Sequence, residues 1–476
     1  MASSSAAAGG GRIAGASGHR LLLLCAAQFM LIVDVVVVTV ALPTIRADLA
    51  IPDGRLPLVS VGYTLAFGSL LVVFGRVGDL FGRRRLFLIG LATFTVASLA
   101  TGLAQAEWQL LVARAGQGVG AAMVSPTALA LLTTAFGEGA ARNTALGYWA
   151  AVGSGGAVAG QLVGGAITDL FGWRWVFLIN VPIGIATLVL GRRLLPESRA
   201  EERPALDVAG AVLLALALAA ATLSLTRYAE GGPTVQATGL LGLGLAAFAA
   251  LVAVERAHRA PLLDRRVLRT GGVARAGALL LVDAGALGAS LYFTTLYLQV
   301  VLGYSPLAVG AAFAPVTFLI ILISPRAGAL TTRYGPRRLI AVGFALLAAG
   351  MLLLARVPVE GTYWRDALPA LLLLAVGSGL SYAPIFIAGT TGVADRDQGL
   401  ASGLLNSAQE LGGAVGITVL GAVATAATIG TDPVALAAGY RAGLLTAAAV
   451  TATSLLLLAG SAKPHSRTWG SGKPHS

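Results

Sequence analysis

Long runs of apolar residues alternate with short polar segments along almost the whole chain. A helix that crosses the hydrocarbon core of a bilayer needs about 20 consecutive, mostly apolar residues. About fourteen stretches meet this requirement, at 21–43, 57–76, 86–105, 108–133, 143–168, 174–191, 206–226, 236–255, 274–300, 306–325, 338–356, 367–390, 400–425 and 440–460. The pattern predicts an all-α polytopic membrane protein with about 14 transmembrane helices.

Composition agrees with this class and argues against others. Of the 476 residues, 57% are hydrophobic and 11% are charged, whereas a soluble domain has about 25% charged residues. The net charge of +12 does not indicate nucleic-acid binding, because the arginines cluster in short loops between apolar runs. The single cysteine, Cys25, excludes an intramolecular disulfide. We find no catalytic constellation, metal-ligand spacing or P-loop, so we expect neither an enzyme nor an ATP-driven pump, and no cofactor.

The positions of the arginines predict the orientation of the chain in the membrane. Loops after the second, eighth and tenth stretches are rich in arginine, whereas the opposite loops carry few. Arginine-rich loops stay in the cytoplasm, so both termini are predicted to be cytoplasmic, at the cell membrane. We predict that segment 1–19 is a disordered N-terminus and that 461–476 is a cytoplasmic tail.

The two halves of the chain repeat each other. The segment "GRVGDLFGRRRL" from Gly75 matches "GALTTRYGPRRL" from Gly328, at an offset of 253 residues. A second match, at an offset of 256 residues, aligns Gly156, Gly160 and Gly165 with Gly412, Gly416 and Gly421. Duplicated halves are typical of a transporter whose site lies between them near the membrane midplane. We therefore predict six-helix bundles at 20–200 and 261–460, joined by an inserted helix pair at 201–260.

Several motifs resemble those of the major facilitator superfamily. "GRVGDLFGRRRL" resembles its loop motif between the second and third spans, and "LLVARAGQGVGAA" from Leu110 resembles its fourth-span motif. "GSGGAVAGQLVGG" from Gly153 resembles its fifth-span antiporter motif, and "GWRWVFLINVPIG" from Gly172 is similar to the fourteen-span drug:proton antiporter branch. The resemblance implies the major facilitator fold and a multidrug efflux transporter that exchanges hydrophobic or cationic drugs for protons, as a monomer in the lipid bilayer.

One departure from the family keeps an alternative open. Gln161 stands where the fifth-span motif usually has proline. The alternative is a transporter with one dedicated substrate, either an exporter of a metabolite or a self-made antibiotic, or an importer.

The carboxylate of Asp34 lies in the middle of an apolar stretch. A charge at the centre of a membrane helix costs about 2.5–3.5 kcal/mol on insertion scales, so such residues are candidates for function. Asp34 lies about 14 Å inward from Pro43, and Arg114 lies about 9 Å inward from Trp108, along their helices. These compatible depths allow an Asp–Arg pair whose protonation drives transport. The resemblance points to the same two residues, and the alternative is a structural ion pair.

Other intramembrane polar residues are candidates for substrate binding. Asp283 and Glu410 lie within the ninth and thirteenth stretches, where either could bind a cation or transfer a proton. The predicted substrate-binding set is Asp34, Asp283, Glu410, Gln28 and Asn406. Gln161, Asn180 and Gln409 are further polar residues of the spans. For each of these groups the alternative is a hydrogen bond that only packs helices together.

Two glycine-rich segments are predicted to serve the conformational change. Glycine permits close helix approach and tight turns. By resemblance, the first segment stabilises the outward-facing state, through Gly75, Asp79, Gly82, Arg83 and Arg84. Arginines that only fix topology would account for Arg83 and Arg84, but not for Asp79 between glycines. The second segment is the antiporter helix, whose glycines allow close packing and sliding, and it contains Gly153, Gly160, Gly164 and Gly165.

Overall fold

The computed structural model of the protein is built from helices throughout the part of the chain that it describes. The described residues are 15–52, 55–56, 58–198, 207–231, 234–257, 265–269, 272–430 and 432–459. The first seven helices are α1 (Gly15–Leu49), α2 (Leu58–Phe81), α3 (Arg83–Gly102), α4 (Glu107–Ala135), α5 (Ala140–Phe171), α6 (Trp173–Leu178) and α7 (Asn180–Leu194). The next three are α8 (Val208–Gly231), α9 (Val235–Ala257) and α10 (Arg265–Arg269). The last seven are α11 (Val273–Leu296), α12 (Pro306–Tyr334), α13 (Pro336–Leu354), α14 (Leu368–Thr390), α15 (Gln398–Ala427), α16 (Pro433–Ser454) and α17 (Leu456–Ala459).

The helices match the predicted apolar stretches in number and order. Thirteen helical segments among the described residues are long and apolar enough to cross a membrane. They correspond to every predicted stretch except 143–168, which lies in α5. With 32 residues, α5 has the length to cross a membrane as well, about 48 Å at the helical rise. The prediction of an all-α polytopic membrane protein is confirmed.

Two connections that were predicted as arginine-rich loops are single glycines. Gly82 joins α2 to α3 with φ +114°, and Gly335 joins α12 to α13 with φ +77°. Both angles lie in the region that glycine adopts without a steric penalty. The arginines therefore sit on helix ends that extend past the apolar stretches. We call the end of the molecule that carries Gly82 and Gly335 the arginine-rich end.

Other boundaries also differ from the prediction. The sixth stretch is divided at Ile179 into α6 and α7. α1 begins at Gly15, so residues 15–19 of the predicted disordered terminus continue a helix. The next residue, Arg20, anchors this end of the helix by donating a 2.9 Å hydrogen bond to the Leu194 carbonyl. Residues 1–14 and the predicted tail at 461–476 lie outside the described residues.

The long helices form two bundles that meet along two seams. Helices α1–α5 and α7 pack together in the first bundle, and α11–α16 pack together in the second. The first seam is the contact of α2 with α15, and the second seam is the contact of α5 with α12. The inserted helices α8 and α9 pack on each other, and α8 also contacts α2 and α15. An apolar cluster that includes Val72, Leu214, Leu251 and Leu400 joins the insertion to the first seam.

The internal repeat is visible in how the two seams are built. At the first seam a Cβ atom on Gly75 would collide with the backbone of Gly399, and at the second seam one on Gly328 would collide with the backbone of Asn143. Gly75 and Gly328 are related by the first offset of the repeat, and Asn143 and Gly399 by the second. Equivalent residues of the two halves thus bring the bundles into backbone contact at the arginine-rich end.

Candidate functional site

The carboxylate of Asp34 is buried in the first bundle among polar side chains of α4 and α7. Asp34 is 1% exposed. Nη1 of Arg114 donates a hydrogen bond to its Oδ2 at 2.5 Å. The side-chain amides of Gln117 and Asn180 both donate to its Oδ1 at 2.9 Å. The carboxylate is therefore paired and hydrogen-bonded on both oxygens, as a buried charge in a membrane requires.

The guanidinium of Arg114 is held by α2 as well as by Asp34. Its Nε donates to the carbonyl oxygen of Val59 at 3.2 Å, and its Nη1 also contacts Oε1 of Gln117 at 2.9 Å. The guanidinium carbon lies 4.6 Å from the ring centre of Tyr63 and 5.6 Å from that of Phe177. Such cation–π contacts favour a fixed position of the charge. Any movement of Arg114 must therefore disturb α2 at Val59 and Tyr63.

Gln117 connects this ion pair to α3. Its amide nitrogen also donates to Oγ of Ser98 at 2.8 Å, and its Oε1 accepts from Oγ1 of Thr101 at 3.1 Å. Gln117 and Tyr63 were not among the predicted site residues, and Asn180 was considered only as a polar residue of its span. One signal for Gln117 is its spacing of three residues from Arg114, which places both side chains on one helix face.

Two of the predicted antiporter glycines pack against the part of α1 that carries Asp34. A Cβ atom on Gly160 would lie 3.3 Å from the Cα of Val33, and one on Gly164 would lie 2.7 Å from the side chain of Val37. α5 thus approaches α1 closely on either side of Asp34 along the helix. The other two predicted antiporter glycines are Gly153 and Gly165. Gly153 faces Tyr382 of the second bundle, and Gly165 is half-buried.

Asp283 is a second buried carboxylate, and it lies in the other bundle. It is 1% exposed, and its Oδ1 accepts a hydrogen bond from Oγ of Ser381 at 2.5 Å. Within the described part of the chain, Asp283 makes no ion pair with an arginine or lysine. The two halves therefore differ chemically, because Asp34 has a paired cation and Asp283 has a hydroxyl.

Glu410 of α15 faces the space between the two bundles. Its side chain is solvent-accessible. It is in electrostatic range of Tyr63 from the first bundle and of Tyr382 from the second. Both tyrosines are buried, at 0% and 6% exposure. The hydroxyl of Tyr382 donates to Oε1 of the adjacent Gln409.

Two predicted substrate-binding amides are buried with a free polar atom. Gln28 is 9% exposed and Asn406 is 5% exposed. Among the described residues, Oε1 of Gln28 and Nδ2 of Asn406 have no hydrogen-bond partner. An unpaired buried polar group costs about 1–3 kcal/mol, which a ligand that supplies the missing bond recovers. Asn406 lies one helical turn before Glu410 on α15.

Asp79 of the first bundle caps a helix of the second bundle. Its carboxylate is fully buried and accepts hydrogen bonds from the amides of Gly399 at 2.9 Å and Leu400 at 2.8 Å. These amides lie in the first turn of α15, where a negative charge is favourable. Nη2 of Arg83 contacts the same carboxylate at 2.6 Å. We call this arrangement the Asp79 cap, and it closes the first seam at the arginine-rich end.

Two arginines add contacts across the first seam. Arg83 donates to the carbonyl oxygen of Asp395, and Arg76 lies 3.2 Å from Oδ1 of Asp397. Both partners precede α15 in the short turn that leads into it. The first seam is therefore closed by charged groups from both bundles.

Arg84, which was predicted to act in the same cluster, binds its own half of the molecule. Its backbone amide donates to Oε1 of Glu197 at 3.2 Å, and its guanidinium contacts the carbonyl oxygen of Arg192. Gly82 lies beside the same carboxylate, since a Cβ atom there would be 2.9 Å from Oε1 of Glu197. Within the described residues, these two members of the predicted gate hold the α2–α3 turn to the end of α7 rather than to the second bundle.

The second seam has a neutral counterpart of the Asp79 cap. Nδ2 of Asn143 donates to Oγ1 of Thr332 at 2.9 Å. Thr332 is the repeat equivalent of Asp79. A cavity of about 560 Å³ lies beside this hydrogen bond, with Glu138 and Arg142 also in its wall.

Two helical bundles close on each other at one end, and the first of them encloses a buried acid–arginine pair, an arrangement typical of two-bundle membrane transporters. The sequence profile of the Major Facilitator Superfamily matches residues 24–417. The cephamycin export protein CmcT of Amycolatopsis lactamdurans is 40% identical over 412 residues, which cover 86% of this chain and 85% of that protein. The puromycin resistance protein pur8 of Streptomyces alboniger is 39% identical over 438 residues, which cover 90% of this chain and 86% of that protein.

A solved structure agrees with this match. The crystal structure of the human organic anion transporter MFSD10 superimposes with a TM-score of 0.63 at 16% sequence identity, and the match covers 92% of this chain and 97% of that chain. The chain belongs to the Major Facilitator Superfamily. It is a multi-pass membrane protein whose relatives are antibiotic export and resistance proteins, and its family and fold point to transport rather than catalysis.

Proposed function

We propose that this protein is a proton-coupled antiporter that exports hydrophobic or cationic drugs, including antibiotics, across the cytoplasmic membrane. The observation that carries the proposal is the fully buried pair of Asp34 and Arg114, with every carboxylate oxygen hydrogen-bonded. A proton on Asp34 removes the charge that Arg114 faces. One site thus has two electrostatic states, which is what coupling to a proton gradient needs.

The driving force of this exchange is the proton gradient. An inward proton releases about 2.3 kcal/mol per 100 mV of membrane potential, before any pH difference is added. The protein works as a monomer in the lipid bilayer, with a small molecule and protons as its partners and no cofactor.

The proposed substrate site lies between the bundles at Glu410. The free polar atoms of Gln28 and Asn406 support it, because each offers a hydrogen bond to a ligand. Asp34 and Asp283 lie on either side, one in each bundle. Arg114 is already paired with Asp34, so this region offers a ligand acidic groups and no free arginine among the described residues, which favours cations and neutral molecules over anions.

The proposed orientation places the arginine-rich end in the cytoplasm, together with both chain termini. With this orientation, the backbone contact of both seams at the arginine-rich end corresponds to closure on the cytoplasmic side, and so to an outward-facing conformation. Breaking the Asp79 cap then accompanies the change to the inward-facing state. Close packing of Gly160 and Gly164 on α1 lets a change at Asp34 reach α5, which forms the second seam.

A second candidate function is export of one dedicated substrate. The names of the two relatives each specify a single antibiotic, cephamycin or puromycin. A panel of chemically different substrates separates the two functions. A multidrug exporter transports several unrelated cations, whereas a dedicated exporter transports one compound and its close analogues.

The experiment that tests proton coupling is transport in proteoliposomes with an imposed pH gradient. The readout is accumulation of ethidium by wild type, by Asp34→Asn and by Asp48→Asn. Asp48 is the matched control, because it lies on the same helix and pairs with Arg174 at 2.5 Å, but it is exposed. The hydrogen bond from Arg174 lowers the pKa of Asp48, so this carboxylate stays ionised throughout the assay range.

We expect gradient-driven accumulation to be lost in Asp34→Asn and retained in Asp48→Asn. Accumulation by Asp34→Asn that equals wild type would show that Asp34 is structural, and it would transfer the coupling role to Asp283 or Glu410. Wild type that transports no cation but carries another compound of the panel would favour the dedicated exporter.

A further inference from the structure

Tyr63 has a buried hydroxyl group that lacks a partner at the place where the two bundles meet. The residue is 0% exposed, and its Oη has no hydrogen-bond partner among the described residues. A buried hydroxyl without a partner is unfavourable, because it has given up its hydrogen bonds to water. Neither the Asp34 network nor the Asp79 cap uses this hydroxyl, so its position needs another reason.

The ring of Tyr63 is tied to the ion pair. It lies against the guanidinium of Arg114 at 4.6 Å, and the same arginine is hydrogen-bonded to Val59 one turn earlier on α2. On the other side, the ring packs on Phe67 with ring centres 5.7 Å apart. The guanidinium and the ring therefore move together or lose a favourable cation–π contact.

Three charged groups lie within electrostatic range of Tyr63, namely Asp34 of α1, Arg114 of α4 and Glu410 of α15. At the first seam Gly399 packs on Gly75 and Gly403 packs on Leu71, so α2 and α15 run antiparallel in a register that brings Glu410 to the level of Tyr63. Tyr63 therefore contacts the arginine of the proposed proton site and lies at the level of the proposed substrate site.

We propose that Tyr63 is a positioning residue that links protonation of Asp34 to release of a cationic substrate from Glu410. The role rests on the proposed function. When Asp34 is ionised, Arg114 stays on the carboxylate and Glu410 is available to the cation. When a proton binds Oδ2 of Asp34, Arg114 loses its counter-charge and moves toward Glu410. Tyr63 follows, and its hydroxyl donates to Glu410 in place of the substrate. The proton remains on Asp34 throughout this step.

The test is the pH dependence of cation binding to the purified, full-length protein in detergent. Binding of tetraphenylphosphonium is measured by calorimetry between pH 6 and pH 8, together with the protons released per bound cation. For wild type we expect an affinity that rises with pH, up to about tenfold per pH unit when one proton is exchanged. For Tyr63→Phe, which keeps the ring, we expect binding to persist with a slope below about threefold per pH unit and less proton release.

The matched control is Tyr297→Phe. Tyr297 is a buried tyrosine of the second bundle whose hydroxyl donates to the Pro358 carbonyl at 2.8 Å, and its loss leaves the pH slope unchanged. Tyr63→Phe with the slope of wild type overturns the role of Tyr63 and leaves the proposed function standing. Wild type whose cation binding is absent or independent of pH overturns the proposed function, and the role of Tyr63 with it. A Tyr63→Trp variant provides a second test if Tyr63→Phe elutes as an aggregate, because indole keeps the cation–π contact.

Discussion

Asp79 and Gly399 belong to different bundles, and the carboxylate of Asp79 accepts a 2.9 Å hydrogen bond from the backbone amide of Gly399. At the equivalent place in the second seam, the side-chain amide of Asn143 donates a 2.9 Å hydrogen bond to the hydroxyl of Thr332. The first seam is thus closed by a charge at a helix N-terminus. The direct hydrogen bond between α5 and α12 is neutral, but Arg142 of α5 also reaches the second bundle by donating to the Thr390 carbonyl of α14 at 2.9 Å. Charge-assisted hydrogen bonds, which are about twice as strong as neutral ones, therefore join the bundles on both sides.

We expect Asp79→Asn to open the arginine-rich end. The change removes the charge that caps α15 and that pairs with Arg83, a loss of about 1.5–3 kcal/mol that shifts the closed population about tenfold or more. Electron paramagnetic resonance distances between spin labels at Phe81 and Tyr334, in a Cys25→Ser background, measure this population. Asp169→Asn, an exposed acid of α5, is the control and leaves the distances as in wild type. Unchanged distances in Asp79→Asn would contradict a role for the cap in closure.

Arg114→Lys tests whether the geometry of the guanidinium matters beyond its charge. Lysine keeps the charge, but it cannot bond to Asp34 and Val59 at the same time, because it lacks the planar fork of donors. We expect gradient-driven ethidium transport to fall about tenfold or more, a change of at least about 1.4 kcal/mol. The control is Arg174→Lys in the exposed pair with Asp48, where transport stays near wild type. Full activity of Arg114→Lys would mean that a positive charge alone suffices.

Gly164→Ala probes the contact of α5 with α1. A Cβ atom at this position would lie 2.7 Å from Cγ2 and 3.0 Å from Cβ of Val37, so a new rotamer of Val37 does not relieve the clash and α5 must move outward. Overpacking of this kind costs about 1–3 kcal/mol. We expect a lower midpoint of thermal unfolding in detergent, measured by intrinsic fluorescence. Gly68→Ala is the control, since the space around Gly68 is open and alanine favours the helix. Equal midpoints for both variants would show that α5 is free to shift.

Glu410→Gln separates cationic from neutral substrates. Removal of the carboxylate between the bundles weakens attraction for a cation, whereas a neutral substrate loses little. We expect tetraphenylphosphonium binding to weaken about tenfold or more, with transport of an uncharged compound from the panel retained. Glu360→Gln, an exposed residue of the loop after α13, serves as the control. Equal losses for both substrates would point to a packing role for Glu410.

The sequence predicted the helices well because apolar length is a local property. It also indicated that Asp34 and Arg114 lie at similar depths, since depth follows from counting residues along a helix. It did not indicate that Tyr63 stacks on Arg114, because such a contact depends on how α2 and α4 rotate when they pack. The Asp79 cap was equally hidden. The motif around Asp79 indicated a functional site, but it did not indicate the partner. Gly399 lies 320 positions away, and the residues around either position do not predict that the two are in contact.

The inserted helices cover one of the two seams between the bundles and not the other. Leu214 of α8 and Leu251 of α9 share one apolar cluster with Val72 and Leu400 of the first seam. If α2 and α15 separate, α8 must lose its contact with one of them and expose apolar side chains. The side of the molecule that carries the inserted helices therefore resists separation of the bundles. The second seam borders a cavity instead. We therefore expect the bundles to separate further at the second seam than at the first when the arginine-rich end opens.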